Sequence, residues 1–213
     1  KAKSLNLCVL LFTLIIFQLG ISQTGTMPMQ QGMAALTCYS GDRTQGASDP
    51  NGFVLAIFDI RGPNCNGNTA PAAPANWLAP STGAYHHSSW TAQNLGEIFG
   101  LDLQKGSTTP DIFVTSCGLT AKNLASTLVA AGGTGGDVFR INGATGAVTK
   151  LASLPNTIYD PDPNNSGVFS KYVGLGNVSH NNVNNVVYVS NLDNGLIYVL
   201  NASTGAILGT YDH

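Results

Sequence analysis

VGLGNVSHNNVNNVVYVSNLDNGLIYVLNASTGAILGTYD, residues 173–212, carries the clearest strand pattern in this chain of 213 residues. Three runs of apolar, β-branched and aromatic residues lie within it, at residues 186–189, 196–200 and 206–211. Asn-Gly and Thr-Gly dipeptides separate these runs, and glycine reaches the positive φ angles of tight turns without steric cost. The pattern predicts a small antiparallel meander of short strands.

Part of this stretch matches an earlier segment of the chain. DVFRINGATGAV, residues 137–148, corresponds to LIYVLNASTGAI, residues 196–207, so that Gly146 matches Gly205. Two shorter matches pair residues 113–115 with 188–190 and residues 95–98 with 175–178. The first copy contains an insertion within residues 117–135, because the matches before and after it differ in spacing. Four short strands in each unit predict a repeat architecture.

Units of four short strands and about 40–50 residues are typical of propeller blades. The pattern in residues 174–208 resembles the blades of secreted, bacterial-type NHL/SMP-30-like or quinoprotein-like β-propellers, and the resemblance covers residues 85–212. It implies an all-β fold of four-stranded antiparallel blades. About three blades are present, so we expect an incomplete ring, since propellers have roughly four to eight. The apolar pattern of residues 119–131 predicts one short helical insertion.

Residues 1–22 have the layout of a secretory signal peptide. Lys1 and Lys3 form a basic start, residues 5–19 are mainly apolar, and small residues precede Gln23. The alternative is a membrane anchor, but a spanning helix needs about 20 predominantly apolar residues and this apolar core is shorter. We therefore expect a secreted or cell-surface protein with no membrane span in the mature chain.

The mature chain divides into three parts. Residues 23–84 form an irregular N-terminal segment that contains a first partial blade, and residues 85–151 and 152–213 form two further blades. The chain begins with Lys1 rather than Met and stops directly after a predicted strand. We therefore expect a fragment of a longer protein, truncated at its C-terminus.

The composition limits the choice of partners. Charged residues make up 9% of the chain, against roughly 25% in an average soluble protein. The formal net charge is −2 and no basic stripe occurs, so nucleic acid is not an expected partner. Removal of the leader leaves Cys38, Cys65 and Cys117, and an odd number allows at most one internal disulfide. We expect a Cys38–Cys65 bridge, because both residues lie in loop-like sequence before the first clear blade.

YHHSSW, residues 85–90, is the first candidate for chemistry. Adjacent His86 and His87 suggest a metal site, to which His180 in the corresponding segment of the next blade would add a ligand. Adjacent residues on a strand point to opposite faces, so the two histidines cannot both reach one ion from a strand. We therefore favour loop packing and hydrogen bonding near Trp90 over metal binding.

DPDPNNSG, residues 160–167, is the second candidate, because its oxygen-bearing side chains alternate as they do at the start of a calcium loop. The EF-hand pattern requires Gly at its sixth position and Glu at its twelfth, where this chain has Asn165 and Lys171. A turn between two blades is the favoured interpretation. We therefore expect no cofactor, and calcium at this loop is the alternative.

No catalytic, cofactor-binding or metal-binding residue is assigned from the sequence. Glu97, Asp102 and Asp193 do not match the ligand set that a lactonase-type resemblance implies, and no nucleophile elbow, P-loop or dinucleotide fingerprint occurs. We predict a non-enzymatic extracellular or cell-surface module that binds a protein or carbohydrate ligand or has a structural role. The alternative is a secreted, calcium-dependent lactonase or hydrolase-like propeller whose active-site blades lie outside this sequence.

Overall fold

The computed structural model describes residue 29 and residues 32–40, 49–59, 77–78, 84–117, 135–155 and 174–212. Twelve strands and one helical turn lie in these segments, and the strands pair into three four-stranded antiparallel sheets. The all-β prediction is therefore confirmed. The leader at residues 1–22, the helix-like window at residues 119–131 and the calcium-loop candidate at residues 160–167 lie outside the described residues.

The first sheet has the strand order β1-β2-β4-β3. Its strands are β1 (Met33–Thr37), β2 (Leu55–Asp59), β3 (Trp77–Leu78) and β4 (Ala84–His87), and the helical turn α1 (Ala92–Leu95) follows β4. The expectation of irregular structure is wrong for β1 and β3, and α1 was not predicted. β1 pairs along its whole length with β2, so tertiary pairing overrides a weak local pattern.

The second and third sheets are meanders whose strands follow chain order. The second comprises β5 (Glu97–Leu103), β6 (Ile112–Cys117), β7 (Asp137–Ile141) and β8 (Val148–Ser153). The third comprises β9 (Leu175–Asn181), β10 (Val186–Asn191), β11 (Ile197–Asn201) and β12 (Ile207–Tyr211). The three strands predicted at the end of the chain are present as β10, β11 and β12.

The β7–β8 and β11–β12 hairpins close with the same turn. In each, the side-chain oxygen of an asparagine, Asn142 or Asn201, accepts the backbone N–H groups two and three residues later at 2.9 Å. The closing residues Gly146 and Gly205 have φ angles of 71° and 74°, which glycine adopts without strain. The matching segments at residues 137–148 and 196–207 therefore form equivalent hairpins, and their turns are alike in hydrogen bonding and in backbone conformation.

Two hydrophobic cores cover opposite faces of the second sheet. Ile112 and Val114 of β6 belong to the core that is shared with the first sheet. Phe113, between them, belongs to the core that is shared with the third sheet, as the alternation of side chains along a strand requires. Every residue of β6 is buried. The second sheet is therefore the middle layer of three stacked sheets.

Strand pairing identifies the equivalent positions of the second and third sheets. Leu101 of β5 lies opposite Val114, and Val178 of β9 lies opposite Val189. Val114 and Val189 correspond in sequence, so Leu101 and Val178 are equivalent. The match of residues 95–98 with 175–178 is therefore wrong, because it aligned Ile98 with Val178. A Leu-Gly dipeptide that begins both segments produced the false alignment.

Cys38 carries a free thiol. The predicted Cys38–Cys65 bridge is therefore wrong, and Cys65 itself lies outside the described residues. Cys38 directly follows β1, where its backbone N–H donates to the carbonyl oxygen of Val54 at 2.9 Å. Burial and the neighbouring Glu97 carboxylate raise the pKa of the Cys38 thiol, which favours the neutral, less reactive form.

Candidate functional site

The adjacent histidines of β4 have different surroundings. His86 stacks on Phe53 with ring centroids 4.6 Å apart, and its Nδ1 lies 3.0 Å from the carbonyl oxygen of Leu55. His87 uses its Nδ1 to accept the backbone N–H of Ser89 at 3.2 Å. The two imidazoles therefore serve separate packing contacts, as the alternation of side chains along a strand predicts.

His87 packs beside Trp90, the arrangement that the sequence favoured. Their ring centroids lie 5.9 Å apart, and burial lowers the pKa of His87. Trp90 is fully buried and donates its Nε1–H to the carbonyl oxygen of Gly146 at 3.0 Å. The indole thereby joins the loop after the first sheet to the β7–β8 turn of the second, which is a structural role.

His180 lies on β9 of the third sheet, whereas His86 and His87 lie on β4 of the first. Its ring stacks on Phe113, with centroids 5.2 Å apart. Within the segments that the structure describes, no group of three or more His, Cys, Asp or Glu side chains is placed to hold a metal ion. The three histidines therefore do not form the common site that their sequence positions suggested.

The two acids of β5 bind neighbouring segments of the chain. Glu97 is 4% exposed and accepts the hydroxyl of Ser40 at 2.5 Å. Asp102, near the other end of β5, accepts the backbone N–H of His180 at 2.7 Å and pairs with Lys105 at 3.3 Å. These contacts explain the burial of Glu97 and the partial burial of Asp102 in terms of packing between segments.

A polar groove of about 390 Å³ lies where the β11–β12 turn meets the second sheet. One wall comes from β7, its turn and β8, and the other from the β11–β12 turn. The lining consists of Arg140, Asn142, Thr149, Lys150, Leu151, Ser203 and Thr204. The sequence analysis identified none of these as site residues, although the matching Asn-to-Gly turns placed two of the contributing segments.

Buried carboxylates hold the two cations of the groove. Arg140 pairs with Asp111 at 2.5 Å, and Lys150 pairs with Asp137 at 3.1 Å. The side chains of Asp111 and Asp137 are 9% and 0% exposed, whereas those of Arg140 and Lys150 are 33% and 41% exposed. Both cationic side chains are therefore partly exposed, whereas the carboxylates that pair with them are buried.

The β11–β12 turn is held firmly against β8. A Cβ atom at Gly205 would lie 1.7 Å from the carbonyl oxygen of Leu151, so only glycine allows this close approach. The Asn201 side chain fixes the backbone N–H groups of Ser203 and Thr204 at 2.9 Å. Two hydroxyl-bearing residues are thereby presented to the groove on a preorganised turn.

The groove combines a guanidinium, an ammonium, an amide and three hydroxyls. Among the described residues, its lining contains no His, Cys, Asp or Glu, and hence no carboxylate pair of the kind that glycoside hydrolysis uses. The arrangement is suited to binding a ligand that accepts hydrogen bonds and carries negative charge.

No protein-family model matches this chain, and neither a curated protein nor a solved structure is detectably similar to it. Among the described residues, no helix is long and apolar enough to cross a membrane.

Proposed function

We propose that the chain is an incomplete β-propeller-type module in which each four-stranded sheet is one blade. The second sheet contacts the first through Ile112 and Val114, and the third contacts the second through the corresponding Val187 and Val189. Repeated use of the same face supports successive stacking of blades. Tyr188, the counterpart of Phe113, is only half-buried on the other face of the third sheet, where a further blade would pack.

The proposed role of the module is to bind a ligand outside the cell or at its surface. The groove between the second sheet and the β11–β12 turn is the observation that carries this role. The extracellular location rests on the leader-like residues 1–22 and on the low content of charged residues.

Among protein and carbohydrate ligands, the lining favours an acidic saccharide. Hydroxyls on Thr149, Ser203 and Thr204 and the amide of Asn142 match a ligand rich in hydroxyl groups. The partly exposed cations match carboxylate or sulfate groups on such a ligand, because hydrogen bonds between charged groups are the stronger kind.

Calorimetric titration with an oligouronate and with a neutral glucan oligosaccharide of equal length tests this proposal. We expect the oligouronate to bind more tightly, and Thr149→Val to weaken its affinity roughly fivefold, the equivalent of one lost hydrogen bond of about 1 kcal/mol. Thr210→Val is the matched control, because Thr210 is exposed on β12 and does not line the groove.

Two results would remove the proposed role. The acidic-saccharide assignment fails if neither oligosaccharide binds the folded protein. The groove is the wrong site if Thr149→Val and Thr210→Val leave the affinity for the oligouronate equally unchanged.

Metal analysis of the secreted protein tests the alternative of a calcium-dependent enzyme, which requires a tightly bound divalent ion. A secreted product that begins at Gln23 is the expected result of processing.

A further inference from the structure

His180 is a buried residue at the contact between the second and third sheets. It is 2% exposed, and its ring lies on Phe113 of β6 with an angle of 14° between the ring planes. Nδ1 accepts the backbone N–H of Lys105 at 3.2 Å. Nε2 is buried and has no hydrogen-bond partner among the described residues. We call His180, Phe113, Lys105 and Asp102 the His180 junction.

The hydrogen bond to Nδ1 determines the protonation state of the ring. Because Nδ1 accepts the Lys105 N–H, it carries no proton, and the neutral ring has its proton on Nε2. A second proton would have to enter at Nδ1. Two donors would then oppose each other, and the backbone N–H of Lys105 would lose its acceptor. Protonation of His180 therefore breaks a contact that links the β5–β6 turn to β9.

Among the described residues, three charged groups face His180. Lys105 donates from Nζ to the carbonyl oxygen of His180 at 2.9 Å and pairs with Asp102. Asp102 accepts the backbone N–H of His180 at 2.7 Å. Arg140 on β7 is close enough to act on the imidazole electrostatically. Lys105 and Arg140 oppose a positive imidazole, whereas Asp102 favours it, and two cations face the ring against one anion.

We propose that the His180 junction makes the contact between the second and third sheets sensitive to pH, closed at neutral pH and loosened by acidification. The proposal is independent of the groove and its ligand. An extracellular module that enters an acidic compartment would loosen its third sheet there. Among the described residues, His180 belongs to no metal-binding group and does not line the groove. The junction therefore gives this histidine a role that neither of those sites provides.

The electrostatic surroundings of His180 also oppose its protonation, as the hydrogen-bond geometry does. Desolvation lowers the pKa of His180 below its ordinary value of 6.5, Lys105 and Arg140 lower it further, and Asp102 opposes them. The unfolded chain therefore takes up its proton at a higher pH than the folded chain does. Stability falls as the pH drops below about 6.5, and the whole contribution is lost below the pKa of the folded state.

Hydrogen exchange measured by mass spectrometry at pH 7 and pH 5 tests the proposal on the full chain. Protection factors for residues 175–181, corrected for the intrinsic effect of pH, should fall at pH 5 relative to those of the first sheet. The expected loss grows with the amount by which the pKa of His180 is lowered and reaches at most about thirtyfold, because pH 5 lies about 1.5 pH units below the ordinary pKa of 6.5. In His180→Asn, the amide oxygen replaces Nδ1 as an acceptor without titrating, so this difference between pH 7 and pH 5 should disappear.

His86→Asn is the matched control, because it removes another stacked imidazole but lies in the first sheet. It should keep the pH-dependent loss at residues 175–181. The proposal is overturned if His180→Asn keeps the full loss. A ¹⁵N NMR titration of wild-type His180 gives an independent answer even if the variant does not fold. Titration of its ring nitrogens at or above pH 6.5 would equally overturn the proposal.

Discussion

The second and third sheets have the same meander topology and the same closing turn, yet they differ in burial. Every residue of β6 is buried in the second sheet, whereas its counterpart β10 in the third has two partly exposed residues. At the edges of the two sheets, β8 keeps three of its six residues partly buried, whereas every residue of β12 is exposed. Ile207, Leu208 and Tyr211 of β12 are among the exposed large apolar side chains. The difference arises from what packs on each sheet, because the strand pattern is shared.

The two sheets also differ in chemistry at one pair of equivalent positions. Arg140 lies opposite Phe113 in the second sheet, and Val199 lies opposite Tyr188 in the third. The acid that pairs with Arg140 is Asp111, which has a valine, Val186, at the corresponding place in the third sheet. An ion pair on the covered face of one sheet thus corresponds to a valine pair in the other.

The largest expected effect comes from truncating one isoleucine in each sheet. Ile112→Ala empties a site that is 0% exposed, so the free energy of unfolding should fall by about 2–5 kcal/mol. Ile207→Ala removes the same atoms from a side chain that is 50% exposed and should change it by less than about 0.5 kcal/mol. Urea denaturation of both variants measures the contrast, and equal losses would show that the third sheet is covered in solution.

A smaller effect is expected when the Asp111–Arg140 pair of the second sheet is replaced by valines, the residues at the equivalent positions of the third sheet. Asp111→Val leaves Arg140 without its partner and removes the acceptor of the Gly143 N–H, which donates at 2.6 Å. We expect a loss of about 3 kcal/mol in the free energy of unfolding. Adding Arg140→Val removes the unpaired charge and should restore about half of that loss.

A double-mutant cycle by urea denaturation measures the coupling between these two positions. Asp212→Val controls for the loss of a negative charge, because Asp212 is exposed beyond β12 and should have almost no effect. If Arg140→Val lowers the free energy of unfolding by the same amount in the wild type and in Asp111→Val, the two positions are not coupled. The prediction that the valine pair can replace the ion pair is then wrong.

Local sequence was sufficient to predict the features that depend on local physics. The hairpins at Gly146 and Gly205 were predictable because a positive φ angle needs glycine whatever surrounds the turn. The expected irregularity of Met33–Thr37 failed because this strand depends on pairing with β2. The local sequence of one segment contains no information on which strand will pair with it.

The groove and the His180 junction were not predictable for the same reason. Thr149 and Ser203 are distant in sequence and line one groove only because the β11–β12 turn packs on β8. His180 drew notice as a metal ligand because of its residue type, and its stacking on Phe113 appears only when two sheets meet. Residue type alone identified His180 as a candidate, whereas its role is seen only in its contact with the second sheet.

The smallest expected effect tests whether the two closing turns are energetically alike. Asn142→Ala and Asn201→Ala each remove an oxygen that accepts two backbone N–H groups, so each should lower the free energy of unfolding by about 1 kcal/mol. Asn184→Ala, at an exposed position in the β9–β10 turn, is the control and should be nearly neutral. Urea denaturation of the two variants and of the Asn184→Ala control measures these differences in the free energy of unfolding. A clear loss in one turn and none in the other would mean that shared geometry hides unequal contributions, with the β7–β8 turn held instead by its hydrogen bond from Trp90.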